Sequence, residues 1–180
     1  YFATTTSPYA EKQCASIIAA ALDLRKDVFT ADFTDSLRSA TVALRAARDA
    51  IESGSARSVL VAAADCRPAE PETMWEQLLG DGAGALLLAK DGGAAIRAAK
   101  SVSSEMLGQW RRTGDRYVRA FEPKLETEYA YVRSVAQAGK AVLQEAGVEP
   151  KDLAKAVISA GDPRSHQTAA RALGVEMPQL

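Results

Sequence analysis

The chain has 180 residues, of which 47% are hydrophobic and 25% charged, with a formal net charge of −1. This composition is ordinary for a globular protein that buries one substantial core. Its basic residues are spread along the chain, and no apolar run approaches the length that crosses a bilayer. We therefore expect neither nucleic acid nor a membrane as partner, and a cytoplasmic location.

The first third of the sequence predicts a helix, a short strand and a second helix. In residues 11–24, EKQCASIIAAALDL, five apolar side chains form one helical stripe: Cys14, Ile17, Ile18, Ala21 and Leu22. Residues 28–33, VFTADF, are β-branched and aromatic and predict a strand. The second helix is predicted to begin after one of three good N-cap residues, Thr34, Asp35 or Ser36. It is predicted to end at Gly54. Its apolar positions recur with a helical period: Leu37, Ala40, Thr41, Leu44, Ala47 and Ile51.

The middle of the chain predicts buried strands separated by a polar loop. Residues 57–65, RSVLVAAAD, form a continuous apolar run, as expected of a strand buried on both faces. After the Pro- and Glu-rich loop 68–76, residues 80–93, GDGAGALLLAKDGG, predict a glycine turn that enters another buried strand. Residues 94–104, AAIRAAKSVSS, are predicted to pair with that strand as a hairpin across Gly92 and Gly93.

The last part of the chain predicts two helices and one more strand. Residues 106–122 contain Trp110 and several arginines, and they are predicted to be irregular and partly exposed. Residues 126–145 predict a long helix, KAVISAG (155–161) a buried strand, and SHQTAARALG (165–174) a helix that ends at Gly174. This alternation of strands and helices predicts an α/β protein with a parallel or mixed sheet.

The two cysteines are expected to be free thiols. A zinc site is not expected, because only His166 is available to join Cys14 and Cys66 and the spacing matches no zinc pattern. Cys66 follows a strand, near the sheet edge where open α/β folds hold ligands, and it is the better thiol for covalent chemistry. Inert packing is the expectation for both residues. The sequence does not begin with Met, and we expect a fragment of a longer chain.

The order and spacing of three segments indicate more than their hydrophobic periodicity does. The segments are FATTTSPYAEKQCASIIAAALDL, DFTDSLRSATVALRAARDAIESG and GDGAGALLLAKDG. Together with WRRTGDRY, AVISAGDP and AARALG they resemble the thiolase superfamily over nearly the whole chain. The similarity is greatest to 3-hydroxy-3-methylglutaryl-CoA synthases and 3-oxoacyl-carrier-protein synthase III. The resemblance implies a layered αβαβα fold of mixed β-sheets packed by helices, incomplete in this chain. Residues 1–100 would end the N-terminal half and residues 101–180 would begin the C-terminal half.

The resemblance also implies where a catalytic set would stand. In the family a cysteine at the start of a buried helix is acylated, because the first-turn N–H groups and the helix dipole favour the thiolate. The matching position here is Leu37, which has no lone pair to offer. The family's glutamate falls at Thr5 and its histidine at Ser159. The usual Cys, His and Glu are therefore expected to be replaced.

Several residues are candidates for lining a pocket or binding CoA under this resemblance. The pocket candidates are Ser36, Leu37, Cys66, Gly80 and Gly82, and the CoA-binding candidates are Arg38, Trp110, Arg111 and Arg112. Each has a plainer interpretation. Leu37 would be a core leucine rather than a plug in an acyl pocket, and Ser36 an N-cap. The glycines would permit close approach of the backbone, and the arginines would be solvated charges or a subunit contact.

Two hypotheses of different classes follow from the resemblance. The first is an acyl-CoA-handling transferase with altered catalytic residues, which takes a CoA thioester as substrate or ligand. The second is a non-catalytic subunit that scaffolds or regulates a partner. In both, the resemblance implies a homodimer or hetero-oligomer, with no tightly bound cofactor and no metal. Binding of CoA would separate the two hypotheses.

Overall fold

The computed structural model describes every residue from Tyr1 to Leu180, in six strands and six α-helices. The strands are β1 (Phe2–Ala3), β2 (Asp32–Phe33), β3 (Ser58–Asp65), β4 (Gly82–Ala89), β5 (Gln109–Trp110) and β6 (Arg119–Ala120). The helices are α1 (Cys14–Ala21), α2 (Ser39–Glu52), α3 (Met74–Leu78), α4 (Pro123–Leu125), α5 (Val132–Ala146) and α6 (Pro163–Leu173). Two compact units divide the chain: unit 1 is residues 1–68 and 79–95, and unit 2 is residues 69–78 and 96–180.

The core of unit 1 is a four-stranded mixed sheet in the order β2-β1-β3-β4. Strands β2, β1 and β3 are parallel, and β4 runs antiparallel to β3 along its whole length. The predicted mixed sheet is therefore confirmed. The parallel register, in which Ala3 lies beside both Phe33 and Ala63, aligns the carboxyl ends of three strands.

Helix α2 packs on this sheet through small side chains. Ala43 and Ala47 are fully buried and Ile51 nearly so, and they join Val59 and Val61 of β3 in one cluster. Alanines at a spacing of four residues keep one narrow face of the helix close to the sheet. Gly54 ends the helix with a positive φ of 79°, as predicted, because glycine adopts the left-handed region at little cost.

Helix α1 is present as predicted, but it buries a different face. The Asp32 carboxylate accepts hydrogen bonds from the N–H groups of Cys14 (2.6 Å) and Ala15 (2.7 Å). These bonds fix the start of α1 beside β2, so Cys14, Ala15 and Ala19 are the buried positions. Ile17, Ala21 and Leu22, part of the predicted stripe, are exposed. The prediction that Cys14 packs is confirmed.

Strand β4 exists as predicted but is not buried. It pairs with β3 on one side only, so its other edge is open, and Leu86 and Leu87 on opposite faces are 58% and 71% exposed. The predicted hairpin partner, residues 94–104, forms no strand. Both predictions failed for the same reason, because burial and pairing depend on neighbouring elements rather than on the strand's own residues.

Unit 2 is built around α5 and α6, whose contact buries Ala170, Leu173 and Val175. The predicted long helix is confirmed as α4, a π-helical turn at Glu126–Tyr131 and α5 in succession. The predicted irregular stretch contains the short β5–β6 hairpin. The predicted strand 155–161 is wrong: it has no neighbouring strand to bond with, and Val157 is completely exposed. No helix in either unit is both long and apolar enough to cross a membrane.

Candidate functional site at the sheet edge

Three of the candidate residues follow parallel strands that end at one edge of the unit 1 sheet. Thr5 follows β1, Cys66 follows β3, and Leu37 lies four residues beyond the end of β2. Ligands of open α/β sheets lie outside the carboxyl ends of parallel strands. Unit 1 therefore brings the expected glutamate position, the expected cysteine position and a thiol to the edge where chemistry occurs in such folds.

Asp65, at the end of β3, organises this edge. Its Oδ1 accepts hydrogen bonds from the N–H of Thr5 (2.6 Å) and from the hydroxyls of Thr4 (3.0 Å), Thr5 (3.1 Å) and Thr6 (3.0 Å). Burial pushes the pKa of Asp65 upward, but the hydrogen bonds from the Thr5 N–H and the three hydroxyls outweigh it and hold the net pKa below the usual value. This network was not predicted from the sequence, where its only signal is the run of three threonines after β1.

Leu37 lies in a turn ahead of α2 and not in the helix. Asp35 takes a positive φ of 68°, and the Ser36 hydroxyl accepts a hydrogen bond from the N–H of Arg38 at 3.1 Å. The Ser36 hydroxyl thus bonds a main-chain N–H as predicted, but the helix begins only at Ser39. Leu37 is 60% exposed, so the prediction of a core leucine is wrong. Because the turn precedes α2, Leu37 comes before Ser39, the first buried residue of the helix.

Cys66 is exposed, so the prediction of inert packing is wrong for this thiol. The charge of the neighbouring Asp81 raises the pKa of Cys66, with smaller contributions from desolvation, a hydrogen bond to Asp81 and the charge of Asp65. Reactive cysteines need the opposite, a positive environment that favours the thiolate. Cys66 is accessible, but the negative charge beside it disfavours the thiolate.

The glycines before and within β4 do not serve the predicted close packing. Gly82 pairs with Asp65 in the β3–β4 ladder, and Gly80 lies in the preceding loop. A Cβ added at Gly80 or Gly82 would meet no atom within 4 Å. The prediction of a close backbone approach is therefore wrong, because β4 is an open edge strand.

Ser159 lies in unit 2, on the segment that leads into α6. It is exposed, and its carbonyl oxygen accepts a hydrogen bond from the Tyr131 hydroxyl at 2.7 Å. Asp162 caps α6 by accepting from the N–H groups of Arg164 (2.9 Å) and Ser165 (3.0 Å). The single histidine, His166, lies seven residues beyond Ser159 within α6. At the position where the resemblance would place a histidine, Ser159 therefore supplies a hydroxyl group instead of a basic ring nitrogen.

The CoA-binding candidates are divided between the two units. Arg38 is exposed in unit 1, whereas Trp110, Arg111 and Arg112 belong to the β5–β6 hairpin of unit 2. Asp115 in the hairpin turn accepts from the N–H of Arg112 at 2.9 Å and from two nitrogens of Arg119, both at 3.1 Å. Trp110 is half-buried, and the guanidinium of Arg116 lies 5.1 Å from the ring centre of Tyr117. The hairpin is thus a basic surface with an ordered turn.

Comparisons with known proteins agree with the fold and with the resemblance. Residues 31–105 match the family model for 3-oxoacyl-[acyl-carrier-protein] synthase III. A hydroxymethylglutaryl-CoA synthase of Pyrobaculum neutrophilum is 32% identical over 100% of this chain and 51% of its own length. Among solved structures, 3-oxoacyl-[acyl-carrier-protein] synthase III of Aquifex aeolicus superposes with a TM-score of 0.85 and 25% identity, over 99% of this chain and 58% of that one. A structure of MvaS in complex with 3-hydroxy-3-methylglutaryl coenzyme A superposes with a TM-score of 0.83 and 21% identity, over 96% and 44%.

The relative and the two superposed structures match nearly the whole of this chain, whereas the family model matches residues 31–105. The chain spans about half the length of the curated relative that it matches. The layered α/β fold predicted from the sequence is confirmed, in incomplete form.

Proposed function

We propose that this chain, a member of the thiolase superfamily similar to hydroxymethylglutaryl-CoA synthases and synthase III, belongs to a protein that binds CoA thioesters for acyl transfer. Transfer does not pass through a covalent intermediate at residue 37. The observation that carries the proposal is the meeting of Thr5, Leu37 and Cys66 at one carboxyl sheet edge.

Two of the superposed structures support CoA as the ligand. One is MvaS in complex with 3-hydroxy-3-methylglutaryl coenzyme A, and another is a hydroxymethylglutaryl-CoA synthase complexed with CoA, with a TM-score of 0.79. In this chain the β5–β6 hairpin offers chemistry suited to CoA. Arginine guanidinium groups pair with phosphates, and an indole ring offers a face to the adenine. Arg111, Arg112 and Trp110 are the residues that would supply these contacts.

The leucine at residue 37 favours a non-covalent route or a binding role. Leucine cannot attack a thioester, and the charge of Asp81 raises the pKa of the exposed Cys66 thiol, which disfavours its thiolate. Chemistry without an acyl-enzyme still requires a base and donors for a developing oxyanion. The second candidate function is a non-catalytic subunit that scaffolds or regulates a partner. It is favoured by the residues at the three positions where the resemblance implies the catalytic set: Thr5, Leu37 and Ser159.

Intact-protein mass spectrometry of the full-length protein after exposure to acetyl-CoA and longer acyl-CoAs tests the non-covalent route. The proposal predicts no acyl adduct while acyl-CoA still binds. A stable adduct that maps to Cys66, or to any other residue, contradicts the non-covalent route and locates the nucleophile. A dimeric state and a cytoplasmic location remain predictions, and sedimentation velocity measures the first.

A further inference from the structure

No further inference is drawn: the strongest candidate, the open edge of β4 with Leu86 and Leu87 exposed on its two faces, is an unpartnered apolar strand, and nothing in the structure shows what covers it.

Discussion

The main-chain N–H of Thr5 donates to the carboxylate of Asp65 across a separation of 60 residues, at 2.6 Å. This bond joins the end of β1 to the end of β3, and three threonine hydroxyls converge on the same oxygen atom. The position that the resemblance gives to a catalytic glutamate is thereby fixed by its neighbours. The hydrogen bonds to Asp65 hold the residues of this sheet edge in place, although Thr5 itself carries no charge.

Asp65→Asn removes the charge that gathers these donors and is expected to lower the free energy of unfolding by about 2 kcal/mol, the value typical of hydrogen bonds to a charged group. Urea unfolding at neutral pH measures the difference. Asp91→Asn is the control, since it makes the same charge change at an exposed loop position. Equal unfolding midpoints for wild type and Asp65→Asn would contradict a stabilising role.

The stability difference between wild type and Asp65→Asn is also expected to depend on pH. The pKa of Asp65 is lower in the folded than in the unfolded state, so its contribution is fully present above the ordinary value of about 3.9. The contribution is lost as pH falls through the folded pKa. Urea midpoints from pH 7 down to the acid limit should therefore stay separated and then converge. A difference that grows with acid would have the wrong sign.

Asp81→Asn is expected to make Cys66 more reactive. The charge of Asp81 is the largest cause of the raised pKa of this thiol, so its removal increases the thiolate fraction at a given pH. Alkylation by iodoacetamide at pH 8, followed by mass spectrometry, measures the rate. Cys14→Ala in both backgrounds removes the other thiol, which is buried. A rate that is unchanged or slower in Asp81→Asn would show that another group controls Cys66.

Leu37→Cys is expected to introduce a thiol that acetyl-CoA acylates, whereas wild type forms no adduct at this position. The turn that holds residue 37 leads directly into α2, whose first N–H groups favour the thiolate. Val42→Cys, on the partly exposed side of the same helix, is the control for indiscriminate acylation. If Leu37→Cys binds acetyl-CoA and stays unmodified, residue 37 does not hold the nucleophile position.

Tyr131→Phe is expected to lower the free energy of unfolding by about 1 kcal/mol, because it removes the hydrogen bond to the Ser159 carbonyl. Thermal unfolding monitored by circular dichroism provides the comparison. The matched variant is Tyr129→Phe, in the same turn, whose side chain is 59% exposed and whose hydroxyl is not part of this contact. Loss of the same size in both variants would argue against a specific role for the Tyr131 bond.

Hydrophobic periodicity and helix-end signals were sufficient to predict the helices and strands whose causes lie in the neighbouring sequence. Helices α2 and α6 end at Gly54 and Gly174 as predicted, since a glycine at a helix C-terminus has a local physical cause. Strand β3 follows from its apolar run. The resemblance supplied the layered fold, which periodicity alone does not specify.

The remaining features depend on contacts between distant residues. Nothing near Asp65 in sequence indicates that threonines 60 residues away bond to it. The positive φ of Asp35 delays the start of α2 and leaves Leu37 outside, and a helical period cannot show this. Residues 155–161 are apolar enough for a strand but lack a neighbour to pair with. The π-helical turn Glu126–Tyr131 has no sequence signature of its own, so the sequence predicted an uninterrupted helix there.

Isothermal titration of the full-length wild-type protein with acetyl-CoA tests the central claim most directly. We expect saturable binding to one site per chain. Binding should weaken when Arg111 and Arg112 are both changed to Gln, because their charges would pair with the phosphates of CoA. Absence of binding to acetyl-CoA and to longer acyl-CoAs would contradict the account. The non-catalytic subunit would then be the better description of this chain.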